Sequence, residues 1–192
     1  MKNIIFLIVT LISFNFTLTS CSDDDNNNYV PIVENSSDAM VHSFTVVKFD
    51  RIISKFTYAI DRSFVNKLQS SSNVLVYRQV GFDNIGNPEW ELMPSQYSIE
   101  YIIPGNSQVE KGTLTYYHTF STDGFTIYAD ADYDIDFYSP EAIHDQTFRI
   151  VVIPGIWARS NQSMVNYKNY NEVIKYYHID ESKITTLQPI KK

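Results

Sequence analysis

Four aspartates occupy every second position in the stretch YADADYDIDFY (128–138): Asp130, Asp132, Asp134 and Asp136, with Glu141 close behind. Carboxylates in series are hard oxygen ligands. A Ca²⁺ loop of the EF-hand kind needs acids at positions 1, 3 and 5, Gly at 6 and a bidentate Glu at 12. Counted from Asp130 the acids fit and Glu141 falls at position 12, but position 6 is Ile135, which cannot take the sharp turn as Gly does. The intervening odd positions, from Phe125 to Phe137, read Phe, Ile, Ala, Ala, Tyr, Ile, Phe. On a straight strand the four aspartate Cα atoms would span about 20 Å, whereas the ligands of one Ca²⁺ lie within about 2.5 Å of it. The row is therefore read as the acidic solvent face of a strand, which also guards an edge against mispairing. A Ca²⁺ set of Asp130, Asp132, Asp134, Asp136 and Glu141 is the alternative.

Other chemistry-bearing residues are scattered. His42, His118, His144 and His178 are widely spaced, and HExxH, CxxC, GxSxG and Gly-rich phosphate loops are missing. Glu141 and His144 form an ExxH pair, but a di-iron bundle needs two such pairs on separate helices. Ser139-Pro140-Glu141 reads instead as the cap and first turn of a single helical turn. Glu89 and Glu91 flank Trp90 on one strand, about 7 Å apart. Glycosidase carboxylates face each other across a cleft, so the expectation is an exposed acidic face with Trp90 turned into the core.

The one cysteine, Cys21, follows an apolar run and precedes three aspartates in LTSCSDDD (18–25). Lys2, the apolar Ile4–Phe16 and the small residues before Cys21 are the parts of an export signal. That run is too short and interrupted to span about 30 Å of hydrocarbon. Leu18-Thr19-Ser20-Cys21 resembles the bacterial lipobox. The resemblance implies cleavage before Cys21, a diacylglycerol on its sulfur and an acyl group on its new amine. A thiolate is the nucleophile that chemistry needs, and two or more chains make a stable anchor where one is marginal. Asp23-Asp24-Asp25 resembles the acidic stretch of Bacteroidota lipoproteins moved to the cell surface. The expected organisation is a signal peptide over 1–20, an acidic and Asn-rich flexible tether over 21–39, and one domain over 40–192.

Without residues 1–20, 22 acidic and 14 basic side chains remain; five of the acids lie in the tether, leaving the domain near neutral at −3. No basic face is suggested, so a nucleic-acid partner lacks its electrostatic term.

The elements that must position these residues are mostly strands. Period-two patterns run over 41–49, 54–60, 73–80, 90–93, 97–103, 112–120, 125–131 and 147–153. Asp123-Gly124 between two of them reads as a type I′ hairpin turn, with positive φ at both central residues. Over 169–179, Tyr170, Val173, Ile174 and Tyr177 recur at helical spacing, with Asn169 and Glu172 placed to cap the start. Eight strands and one short C-terminal helix define an all-β chain, an antiparallel β-sandwich of general immunoglobulin-like architecture. Among the 14 tyrosines, Tyr97 and Tyr101 are expected to line the core, while Tyr116 and Tyr117 face opposite ways.

The segments VLVYRQ (74–79), WELMPSQY (90–97), SPEAIHDQTFRIVVIPG (139–155) and VNYKNYNEVIKYY (165–177) together resemble a β-rich family of flavobacterial lipoproteins without an assigned activity. The expected function is a lipid-anchored envelope protein at the outer-membrane surface. It would have no enzymatic activity and no cofactor, and would bind a surface protein or glycan or support an assembly. The alternatives are an envelope glycan or peptide hydrolase and a Ca²⁺-stabilised binding module.

Overall fold

Alternation of β-branched and aromatic residues with polar ones lets a strand bury one face and wet the other, and here it builds two facing sheets. The computed structural model describes residues 39–105, 107–153, 155 and 165–187, all within one compact unit. The expected signal peptide, Cys21 and all of the tether but Ala39 lie outside the described residues.

The strands are β1 (Met40–Lys48), β2 (Arg51–Ser54), β3 (Thr57–Ser63), β4 (Asn73–Phe82), β5 (Pro88–Leu92), β6 (Ser95–Ile102), β7 (Val109–Phe120), β8 (Gly124–Ala131), β9 (His144–Ile153) and β10 (Thr185–Thr186). Two helices, α1 (Ile135–Tyr138) and α2 (Tyr170–Tyr176), and 3-10 turns at Pro140–Ile143 and Glu181–Lys183 complete the described elements. One sheet has the order β10-β1-β9-β4-β5 and the other β2-β3-β8-β7-β6. All pairings are antiparallel except β1 with β10. The chain is thus an antiparallel β-sandwich, immunoglobulin-like in general architecture, with one short helix near its end.

The sheets close on a core that includes Phe44, Ile60, Val76, Tyr116, Ile127 and Phe148. A second cluster lies on the outer face of the first sheet, where α2 sets Tyr170, Val173 and Ile174 against Tyr77, Val151 and Ile153. β9 is therefore buried on both faces, which explains the unbroken apolar run Ile150–Ile153. Ala39, assigned to the tether from sequence, is buried in this second cluster. Asn169 caps α2 by accepting from the Glu172 N–H at 3.2 Å. The helix stops at His178, whose φ of 53° lets the Ile179 N–H reach back to the Ile174 carbonyl at 3.0 Å.

Three sequence expectations need correction. The continuous strand 54–60 is a hairpin, because Ser54 pairs with Thr57 around Lys55-Phe56 and the Ser54 hydroxyl accepts from the Phe56 N–H. The two-residue β10, which pairs with β1 in parallel, was too short to leave a periodic signal. Asp123-Gly124 does close a hairpin, with Phe120 opposite Phe125, but neither residue has positive φ. Gly124 is needed for close approach instead: a Cβ there would lie 2.3 Å from the Arg62 carbonyl oxygen across β3.

His42 and His118 are largely buried, each with an Nδ1 that has no hydrogen-bond partner among the described residues. Burial holds both pKa values below the ordinary histidine value; for His118 a backbone hydrogen bond with Val74 opposes this in part. The unfolded chain therefore takes up these protons first as the pH falls below about 6.5. Stability is complete above that pH and is lost down to the lowered folded values, by up to about 1.4 kcal/mol per pH unit per histidine. Thermal melts between about pH 7.5 and 5.5 should show this loss, and a constant melting temperature would contradict it.

Candidate functional site

The aspartate row does not run along one strand. β8 ends at Ala131, and only Asp130 points from it, accepting from the Thr57 hydroxyl at 2.5 Å. Asp132 accepts from the Thr113 N–H at 2.8 Å, and Asp134 caps α1 by accepting from the Phe137 N–H at 3.3 Å. Asp136 sits in the first turn of α1, 3.4 Å from Lys48 Nζ. Chain reversal through Asp134 and Ser139-Pro140 ends the strand, yet Tyr133 and Ile135 still turn inward and are buried. The single acidic strand face is thus replaced by four separate structural roles. Glu141 lies in the next 3-10 turn, where Ser139 and Pro140 occupy the expected cap and first position. Among the described residues, no three His, Cys, Asp or Glu side chains are grouped to hold a metal ion, so the proposed Ca²⁺ set is not brought together.

The histidines sit in β1, β7, the first position of β9 and the turn after α2. Glu89 and Glu91 lie on the edge strand β5, with Glu91 opposite Arg78 in register. Glu89 is exposed, but Glu91 is half-buried with one oxygen shut off from solvent, which corrects the expectation of a fully exposed acidic face. Trp90, on the opposite face, packs on the second cluster. Tyr97 and Tyr101 pack against the main core as expected. Tyr116 is buried, donates to the Ala142 carbonyl at 2.7 Å and has its pKa pushed up to about 12, chiefly by that burial. Tyr117 faces outward and stacks on Tyr128 at 4.6 Å.

A groove of about 920 Å³ opens between the β4–β5 hairpin and the start of α2. The hairpin contributes Val80, Asp83, Asn87, Pro88, Glu89 and Trp90, while Arg149 rises from β9. Asn166, Lys168, Asn169, Tyr170 and Asn171 form the opposite wall, with Glu181 at one end. The Arg149 guanidinium lies 4.4 Å from the Trp90 ring centroid and 4.9 Å from that of Tyr170. It donates to the Tyr170 hydroxyl at 2.6 Å and pairs with the Glu181 carboxylate, to which the Tyr170 hydroxyl also donates at 2.9 Å. Burial raises the Tyr170 pKa well above the usual phenol range, against the pull of Arg149, so the hydroxyl stays a donor at neutral pH.

Asp83 fixes the hairpin tip. It accepts from the N–H groups of Ile85 and Asn87 and from the Asn87 side-chain amide, at 2.8–2.9 Å. The hydrogen bonds from Asn87 hold its pKa below the usual carboxylate value. Gly86, with φ of 86°, supplies the turn that these bonds enclose.

Sequence reading missed this groove because four separated segments build it. Its one local signal is Arg149, a lone cation inside the apolar run FRIVVI (148–153), beside an Asn-rich approach to the helix. No family model, curated protein or solved structure matches the chain. The class that the residues define is an all-β sandwich with a polar, aromatic-floored groove on its helix-covered face.

Proposed function

We propose that this protein is an exported lipoprotein, anchored in the outer membrane through Cys21 and facing the cell surface, whose sandwich binds an envelope or surface component without transforming it. The observation that carries the binding role is the groove, where the Arg149–Tyr170–Glu181 network holds polar groups in place around Trp90. Such ordering before contact reduces the entropy lost on binding. The lipobox and the acidic tether support the location, and the near-neutral domain supports a partner other than nucleic acid. The segments over 74–79, 90–97, 139–155 and 165–177 support membership of the flavobacterial lipoprotein family that the sequence resembles.

Non-enzymatic action is supported by what the groove carboxylates already do. Asp83 is tied into the turn and Glu181 is paired with Arg149, while the Glu89 side chain leaves β5 on the face opposite Trp90. An acid and a base with separated protonation would be needed for hydrolysis. Soluble Cys21→Ser protein should cosediment with envelope fragments, and the fragments should be recovered chemically unchanged. Release of new reducing ends or new amines would favour a hydrolase, and failure to cosediment would contradict the binding role.

A further inference from the structure

We propose that the groove between the β4–β5 hairpin and α2 takes an uncharged oligosaccharide chain; this rests on the groove being the binding surface. Its polar groups fall into two sets. Asp83, Asn169 and the Arg149–Glu181 pair are held by the fold's own hydrogen bonds. Lys168 and Asn171 also line the groove, and their side chains make no hydrogen bond or ion pair to other described residues, whereas the Glu89 side chain leaves β5 on the face opposite Trp90.

An ammonium donates, and a primary amide both donates and accepts. A sugar hydroxyl is at once donor and acceptor, so a row of them can satisfy this mixture, which no purely accepting or purely donating ligand can. The Trp90 ring adds an apolar surface of the kind against which the C–H face of a pyranose packs. A volume of about 920 Å³ lies at the upper end of small-molecule sites, which run to about 1,000 Å³.

Charge narrows the class further. The groove carboxylates Asp83 and Glu181 balance the cations Arg149 and Lys168, and Arg149 is already paired with Glu181. A phosphate-bearing or otherwise polyanionic chain would find no net positive charge there. An extended peptide could approach the free edge of β5, but it would need pockets for alternate side chains. The apolar lining is limited to Val80, Pro88 and Trp90 beside the aromatic body of Tyr170.

The two tryptophans are Trp90 and Trp157, so Trp157→Phe in the soluble Cys21→Ser protein makes emission report on Trp90 alone. The probes are cellotetraose, chitotetraose, maltotetraose and mannotetraose, with tetra-alanine and inorganic polyphosphate alongside. At least one tetrasaccharide should shift the emission saturably. Asn171→Ala and Lys168→Ala should each weaken that response about tenfold or more without changing the melting temperature. Silence from all four sugars up to about 10 mM would overturn the proposal. So would a sugar response that both substitutions leave intact. A saturable response to the peptide or the polyphosphate alone would also overturn the sugar assignment, while leaving the groove as the binding surface.

Discussion

Replacing Cys21 with Ser is expected to move essentially all of the protein from the membrane fraction to the soluble fraction. The proposed anchoring would depend on one sulfur, since the sequence has a single cysteine. A serine hydroxyl at neutral pH is a far weaker nucleophile than a thiolate, so lipid transfer should stop. Each buried CH₂ of an acyl chain contributes about 0.8 kcal/mol, and loss of the chains removes the whole anchoring energy at once. Among the described residues no helix is long and apolar enough to cross a membrane. Fractionation with fatty-acid labelling reads the result. A Cys21→Ser protein that still incorporates label, or stays with the membrane after a salt wash, would contradict the anchor.

The largest stability effect is expected at Phe148. It is 0% exposed at the centre of β9, stacked on Phe44 at 5.4 Å and edge-on to Phe49 at 6.3 Å. The flanking strands β1 and β4 hold it on both sides, so the cavity left by Phe148→Ala cannot close by a loop shift. A buried Phe→Ala change costs about 3–5 kcal/mol through lost transfer energy and the residual void. For a domain of this size that is a fall in melting temperature of about 6–20 °C. Phe137, 63% exposed on α1, is the comparison: Phe137→Ala should cost less than about 0.5 kcal/mol. Equal effects at the two positions would mean that the packing of the two sheets is not as described.

Where one local rule decides the outcome, the sequence reveals the structure. Phe125, Ile127 and Ala129 alternate into the core because a strand has a period of two. Asn169 and Glu172 mark the start of α2, and Ser139-Pro140 marks a short helical turn, because capping chemistry is local. Legibility fails where local signals are absent or conflict. Lys55-Phe56 turns without Gly or Pro, so one strand reads straight through it over 54–60 and the rest of β2 gives no strand signal. The apolar alternation outlasts β8, so Asp132, Asp134 and Asp136 look like strand residues although the chain has already turned. Helix α2 covers one sheet and leaves the other sheet's outer face polar, and this decides why Val151 and Ile153 are buried alongside Ile150 and Val152. The groove lies beyond any local rule. Its walls come from positions as far apart as Asp83 and Glu181, and only the strand order brings them together.

Binding through the groove is tested most directly by the share of soluble Cys21→Ser protein that sediments with envelope fragments before and after the groove is blocked. Asn171→Trp fills one wall of the groove and Lys168→Glu reverses a charge beside it. Both residues are exposed, so both variants should keep the parent melting temperature. Lys111→Glu, on the exposed β6–β7 ladder of the second sheet, serves as the distant control. The groove variants should lose about tenfold or more in envelope affinity while the control keeps the parent value. Equal sedimentation of all four proteins would contradict binding through the groove.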